Sequence, residues 1–82
     1  MNKIYALFED SEFLRSIYAF SYNRTNNTHD AEDLTSEIIL QVLKSSKKNS
    51  DIQYPIGFVW IIAKRTYADY CEKRSKYNSN VI

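Results

Sequence analysis

Turn formers and reactive side chains are scarce in this chain: one glycine (Gly57), one proline (Pro55), one histidine (His29) and one cysteine (Cys71) among 82 residues. A sheet protein of this length needs more turn residues. Their scarcity, with apolar residues recurring at helical spacing, points to an all-α fold, a compact bundle of three to four helices. The lone cysteine excludes an internal disulfide and fits a reducing cytoplasm. His29 and Cys71 fall on different predicted helices with no third partner, and a structural zinc site takes about four such ligands. A single glycine builds no phosphate-cradling loop. Asp30, Glu32 and Asp33 lie together, but at a helix start, where the dipole alone favours carboxylates. No catalytic residue, metal or cofactor is therefore expected. No apolar run approaches the roughly 18 residues of a membrane span. The first residues lack the basic and apolar regions of a signal peptide. The expected location is cytoplasmic, with no membrane partner.

What the chain does have is a split of charge. Residues 1–40 hold three basic and seven acidic side chains, net −4, whereas residues 41–82 hold eight basic and three acidic, net +5. Solvated helix faces could produce this, and so could two partners of opposite charge.

Four helical segments are expected. Residues 4–8 form a short first helix. Asp10 or Ser11 caps a second, with Phe13, Leu14, Ile17, Tyr18 and Phe20 apolar, that runs to about Tyr22. Residues 23–27 read as a connector. The third starts near Thr28, a plausible cap, and repeats Ala31, Leu34, Ile38 and Val42 on one face. Asp33, Glu37, Leu40, Gln41 and Lys44 fall on the opposite side, with Leu40 an apolar residue among polar ones. Residues 44–52 read as a polar loop. Pro55 suits a first helical turn, and a long helix is expected from Phe58 to about Lys76. Its core face is Val59, Ile62, Ala63, Thr66, Tyr67 and Tyr70, with Lys64, Arg65 and Glu72 opposite. Residues 77–80 read as a frayed end or linker.

Tyr54, Phe58, Trp60, Lys64 and Arg65 fall within twelve residues. Aromatic rings stack on unpaired bases and cations neutralise phosphates, so the mixture suits melted or single-stranded nucleic acid. Phe58 and Trp60 fit equally as core residues at helical spacing. Lys73, Arg74 and Lys76 extend the positive charge, as solvated helix-end cations also would.

Segment order then matters. Residues 28–44, Thr-His-Asp-Ala-Glu-Asp-Leu-Thr-Ser-Glu-Ile-Ile-Leu-Gln-Val-Leu-Lys, resemble the pattern DAEDLVQEVFLRVL of bacterial RNA polymerase sigma factors of the extracytoplasmic-function type, within the sigma-70 family. Residues 54–74 resemble the same family's NPRAWLYRIARNLAIDYLRRR, and residues 13–22 its LYRYAYRL helix. The resemblance covers residues 4–76 and identifies the region 2 domain. It departs at four places: Phe58 stands at the family's tryptophan, Trp60 at a position usually held by tyrosine, Ile61 at an arginine and Arg65 at an asparagine.

The resemblance implies a transcription initiation factor domain without catalysis. Asp33, Glu37, Leu40, Gln41 and Lys44 would dock on the clamp helices of the largest subunit of core RNA polymerase. The loop 45–57 and the start of the last helix would recognise and hold the melted non-template strand of the promoter −10 element. Tyr54, Phe58, Trp60, Lys64 and Arg65 would contact the strand, with Lys73 and Arg74 on backbone phosphates. An anti-sigma factor is a further partner that such a resemblance implies. Residues 1–77 would form the domain and 78–82 a linker to a helix-turn-helix domain outside this chain, unless the protein has one domain only. The alternative function is a helical protein-interaction module that does not bind DNA.

Overall fold

The computed structural model describes residues 3–49 and 51–79, with side chains described through residue 74. Four helices follow in order: α1 (Lys3–Phe8), α2 (Ser11–Thr25), α3 (Thr28–Lys48) and α4 (Pro55–Ser79). No strand occurs among the described residues, and the all-α expectation holds.

Local chemistry sets the boundaries. The Asp10 carboxylate accepts the Glu12 N–H at 3.0 Å and the Phe13 N–H at 3.4 Å, which caps α2. That helix continues to Thr25, three residues beyond the expected end. Thr25 Oγ1 donates to the Ser21 carbonyl at 2.9 Å, so its hydroxyl supports the last turn instead of breaking it. The connector shrinks to two asparagines with different tasks. Asn26 takes the left-handed conformation at φ 54° and its N–H donates to Tyr22 O at 2.8 Å, closing α2. Asn27 is extended, and its side chain accepts the Asp30 N–H at 3.0 Å. Asn27, not Thr28, therefore caps α3.

The third helix also outruns its expected end, because residues 44–48 are helical. Ser46 is buried one turn beyond Val42 and continues the stripe of Ala31, Leu34, Ile38 and Val42. A small side chain with its hydroxyl bonded to Leu43 O at 2.9 Å needs no apolar character to fill that place. Pro55 opens α4, and Phe58 N–H donates to Tyr54 O at 2.9 Å in its first turn. The helix runs to Ser79, past the expected end at Lys76. The rest of the expected tail, 80–82, lies outside the described residues.

α3 is the central element and packs on both α2 and α4, while α1 closes the bundle against α2 and α4. Ile4, Ile17, Leu34, Ile38, Val42, Val59, Ile62 and Ala63 make the core. Beside it, Trp60 meets Phe13 edge-on at 6.1 Å and Phe20 at 5.5 Å between ring centres. Phe20 also meets Tyr67 edge-on, and the Arg24 guanidinium lies 3.7 Å from the centre of its ring.

Among the described residues, two hydroxyls, Ser21 Oγ and Thr35 Oγ1, are buried without a hydrogen-bond partner. An orphaned hydroxyl costs more than its removal when the replacement keeps the volume. Ser21→Ala is therefore expected to raise stability by about 1 kcal/mol, read as a higher urea midpoint at constant slope.

Candidate functional site

Two outward surfaces carry the residues singled out in the sequence. The first is the face of α3 turned from its core stripe. Asp33 and Lys44 are exposed, Glu37 and Gln41 half-buried, and Leu40 keeps 45% of its surface in solvent. All five share this side of the helix, since spacings of three, four and seven residues fall on one flank at about 100° per residue. Gln41 Nε2 donates to Glu37 Oε1 at 2.9 Å, which holds two of the five in a fixed relation. His29 Nε2 stands 4.0 Å from Asp33 Oδ2, a loose pair with both side chains well exposed.

The second surface is formed by α4 and the loop before it. It does not gather the seven expected DNA contacts on one side. Tyr54, 78% exposed, stands at the start of α4. Phe58 is half-buried beneath it, and with Ile52, Gln53, Gly57 and Ile61 these residues line an open cleft of about 400 Å³. Asn49 and Asp51 complete its rim. Trp60 lies on the other flank of α4, half-buried against Phe13 and Phe20. Lys64 follows Trp60 by one turn and is exposed. Arg65 lies about 100° further round, one turn after Ile61, and is exposed.

Arg65 and Lys73 also border a groove of about 280 Å³ between α3 and α4, where Asp33, Glu37 and Gln41 form the facing wall. The two expected surfaces thus meet along one groove. Arg74 has a different setting. Its Nη1 donates to Asp30 Oδ2 at 2.9 Å and to Tyr70 Oη at 2.9 Å, tying the far part of α4 to the first turn of α3. The hydrogen bond to Asp30, then that to Tyr70, holds the guanidinium even more firmly protonated than usual. The Tyr67 phenol is likewise held above its ordinary range, first by its hydrogen bond with the Cys71 thiol.

Some contributors escape a reading of the sequence. Lys47 and Lys48, exposed at the end of α3, stand immediately before the cleft rim. The signal for them is present in the basic run, which reads as loop only if α3 ends early. Arg24 joins the aromatic group of Trp60 and Tyr67 from α2; nothing local in its sequence marks that contact.

The family model for sigma-70 region 2 matches residues 11–77, which takes in α2, α3 and nearly all of α4. The chain belongs to the sigma-70 region 2 family. No curated protein sequence and no solved structure matches it significantly. As a sigma region 2 domain it has a role in transcription initiation, in a family that is not catalytic and that binds core RNA polymerase and promoter DNA. Among the described residues, no helix of this sigma domain is long and apolar enough to cross a membrane.

Proposed function

We propose that this sigma domain is of the extracytoplasmic-function type and works in the cytoplasm. It docks on the clamp helices of the polymerase's largest subunit through Asp33, Glu37, Leu40, Gln41 and Lys44. It holds the melted non-template strand of the −10 element along the α4 side. On that side Tyr54 and Phe58 offer aromatic surface at the cleft, Lys64, Arg65 and Lys73 meet phosphates, and Trp60 supports Lys64 from the aromatic group beneath. Arg74 contributes positive charge while tied to Asp30.

The observation that carries this reading is the cleft before α4. An aromatic ring 78% exposed and a neighbouring Ile61 63% exposed stand in solvent, with exposed Lys47 and Lys48 just before the cleft rim in the chain and exposed Arg65 one helical turn beyond Ile61. Large apolar side chains left in water beside clustered cations match what a single strand presents, stackable base faces on a charged backbone.

The test uses single-stranded −10 oligonucleotides with the clamp-helix fragment present. Lys64→Ala combined with Arg65→Ala is expected to weaken binding about tenfold at low salt. It should also flatten the salt dependence by about 0.7 in log–log slope for each phosphate that the variant leaves unneutralised. Both residues are exposed, so the fold is expected to survive the change. Clamp-helix binding with no measurable DNA affinity, unaltered by the double substitution, would select the alternative, a protein-interaction module.

A further inference from the structure

Tyr54 and Ile61 are separated by seven residues, which returns the chain to nearly the same side of the helix, about 10 Å further along the axis. Both are large, apolar and more than half exposed. Between them on the same strip lies Gly57, where a β-carbon would meet nothing closer than Tyr54 Cβ at 3.9 Å. The notch is therefore open space bounded by an aromatic ring at one end and a branched aliphatic side chain at the other, with Phe58 at its side. The Ile61 side chain has no donor or acceptor. Whatever it reads, it reads by apolar contact.

Among the groups a single DNA strand presents, the C5 methyl of thymine is the one that apolar side chains distinguish. We infer that Ile61 gives this domain a preference for thymine at the cleft, contacting the C5 methyl of a base whose face rests on Tyr54. The inference rests on the reading that the cleft side of α4 holds single-stranded DNA. Charge complementarity supports that occupant: exposed Lys47 and Lys48 directly precede the lining residue Asn49 and exposed Arg65 follows Ile61 by one helical turn, against Asp51 on the cleft rim. Cytosine lacks the methyl, and a purine has no apolar substituent to offer Ile61.

The experiment compares oligo-dT with oligo-dU of equal length, both with deoxyribose, so that the only difference is the methyl. Binding is titrated at low salt with the clamp-helix fragment present. The protein is expected to prefer oligo-dT about fourfold, the factor that burying one methyl group gives. Ile61→Ala is expected to bring the ratio to one, and Lys64→Ala to weaken both oligonucleotides while leaving the ratio in place. Ile61 is exposed, so its replacement leaves the core intact. Equal affinity of the unmodified protein for the two strands overturns the thymine assignment but not the proposed function. A preference that survives Ile61→Ala also overturns it, by giving the methyl contact to another residue. Failure to bind either strand overturns both readings together.

Discussion

Trp60→Ala is expected to lower the unfolding free energy by about 3 kcal/mol, toward the lower end for loss of a large aromatic side chain because Trp60 is only half-buried. The ring packs on two phenylalanines of α2, at 6.1 and 5.5 Å between centres. One of these, Phe20, in turn carries Tyr67 and the Arg24 guanidinium. Truncation removes the α4 ring that meets both phenylalanines and leaves Tyr67 as the remaining α4 contact with Phe20, so aromatic pairing is lost along with the side chain's transfer energy. A domain of this size has only about 3–5 kcal/mol in hand. The variant is therefore expected to keep only about 0–2 kcal/mol, read at 25 °C as a urea midpoint moved close to zero denaturant, whereas Trp60→Phe keeps most of the transition. An unchanged urea midpoint in Trp60→Ala would show that the aromatic group does not hold α4 in place. The same structural role makes Trp60 a poor probe of base stacking, since any loss of DNA affinity would include the loss of folded domain. Lys64 and Arg65, exposed on the same helix, separate the two effects.

That dual character of Trp60 shows where a sequence stops being readable. The spacing of Ala31, Leu34, Ile38 and Val42 is legible because a helical period has one physical cause, burial of a single face, and all four are buried. The period does not rank Trp60 as core or contact, because a half-buried ring on a helix flank satisfies both. The end of α3 misleads for a related reason. Ser45, Ser46, Lys47 and Lys48 have the composition of a loop, yet Ser46 sits in the buried stripe where a small residue fits. The Arg74–Asp30 pair joins positions 44 residues apart, and no local pattern encodes it. Asp30 is legible only as a carboxylate favoured by the start of a helix, and its second task appears once α4 has folded beside it. At the candidate site, Leu40 is visible as an apolar residue among polar ones and Ile61 as an apolar residue where the family pattern has arginine, and each proves exposed. Their geometry is not visible: it takes the fold to put Ile61 at the mouth of a notch beside Tyr54, and Trp60 on the far flank.

Leu40→Asp is expected to weaken binding to the clamp-helix fragment about 30-fold, or about 2 kcal/mol, the threshold for an interface anchor. Leu40 holds no place in the core, and 45% of its surface meets water, so it does little for the isolated domain. Around it, Asp33, Lys44 and the bonded pair Glu37–Gln41 supply a polar border. An apolar centre within a polar border is the arrangement in which one side chain, once desolvated, carries much of the binding energy. Aspartate at this position brings a charge that must lose its hydration on docking, and it adds to a face already carrying Asp33 and Glu37. Stability is expected to change by no more than about 0.5 kcal/mol, as for other exposed positions. The oligo-dT to oligo-dU ratio should also remain, because Ile61 and Tyr54 lie on a different helix face. Titration of the fragment by calorimetry, with a urea midpoint for each variant, separates these outcomes. If Leu40→Asp binds the fragment as tightly as the unmodified chain, the outward face of α3 is not the docking surface, and the groove shared with α4 becomes the place to look for it.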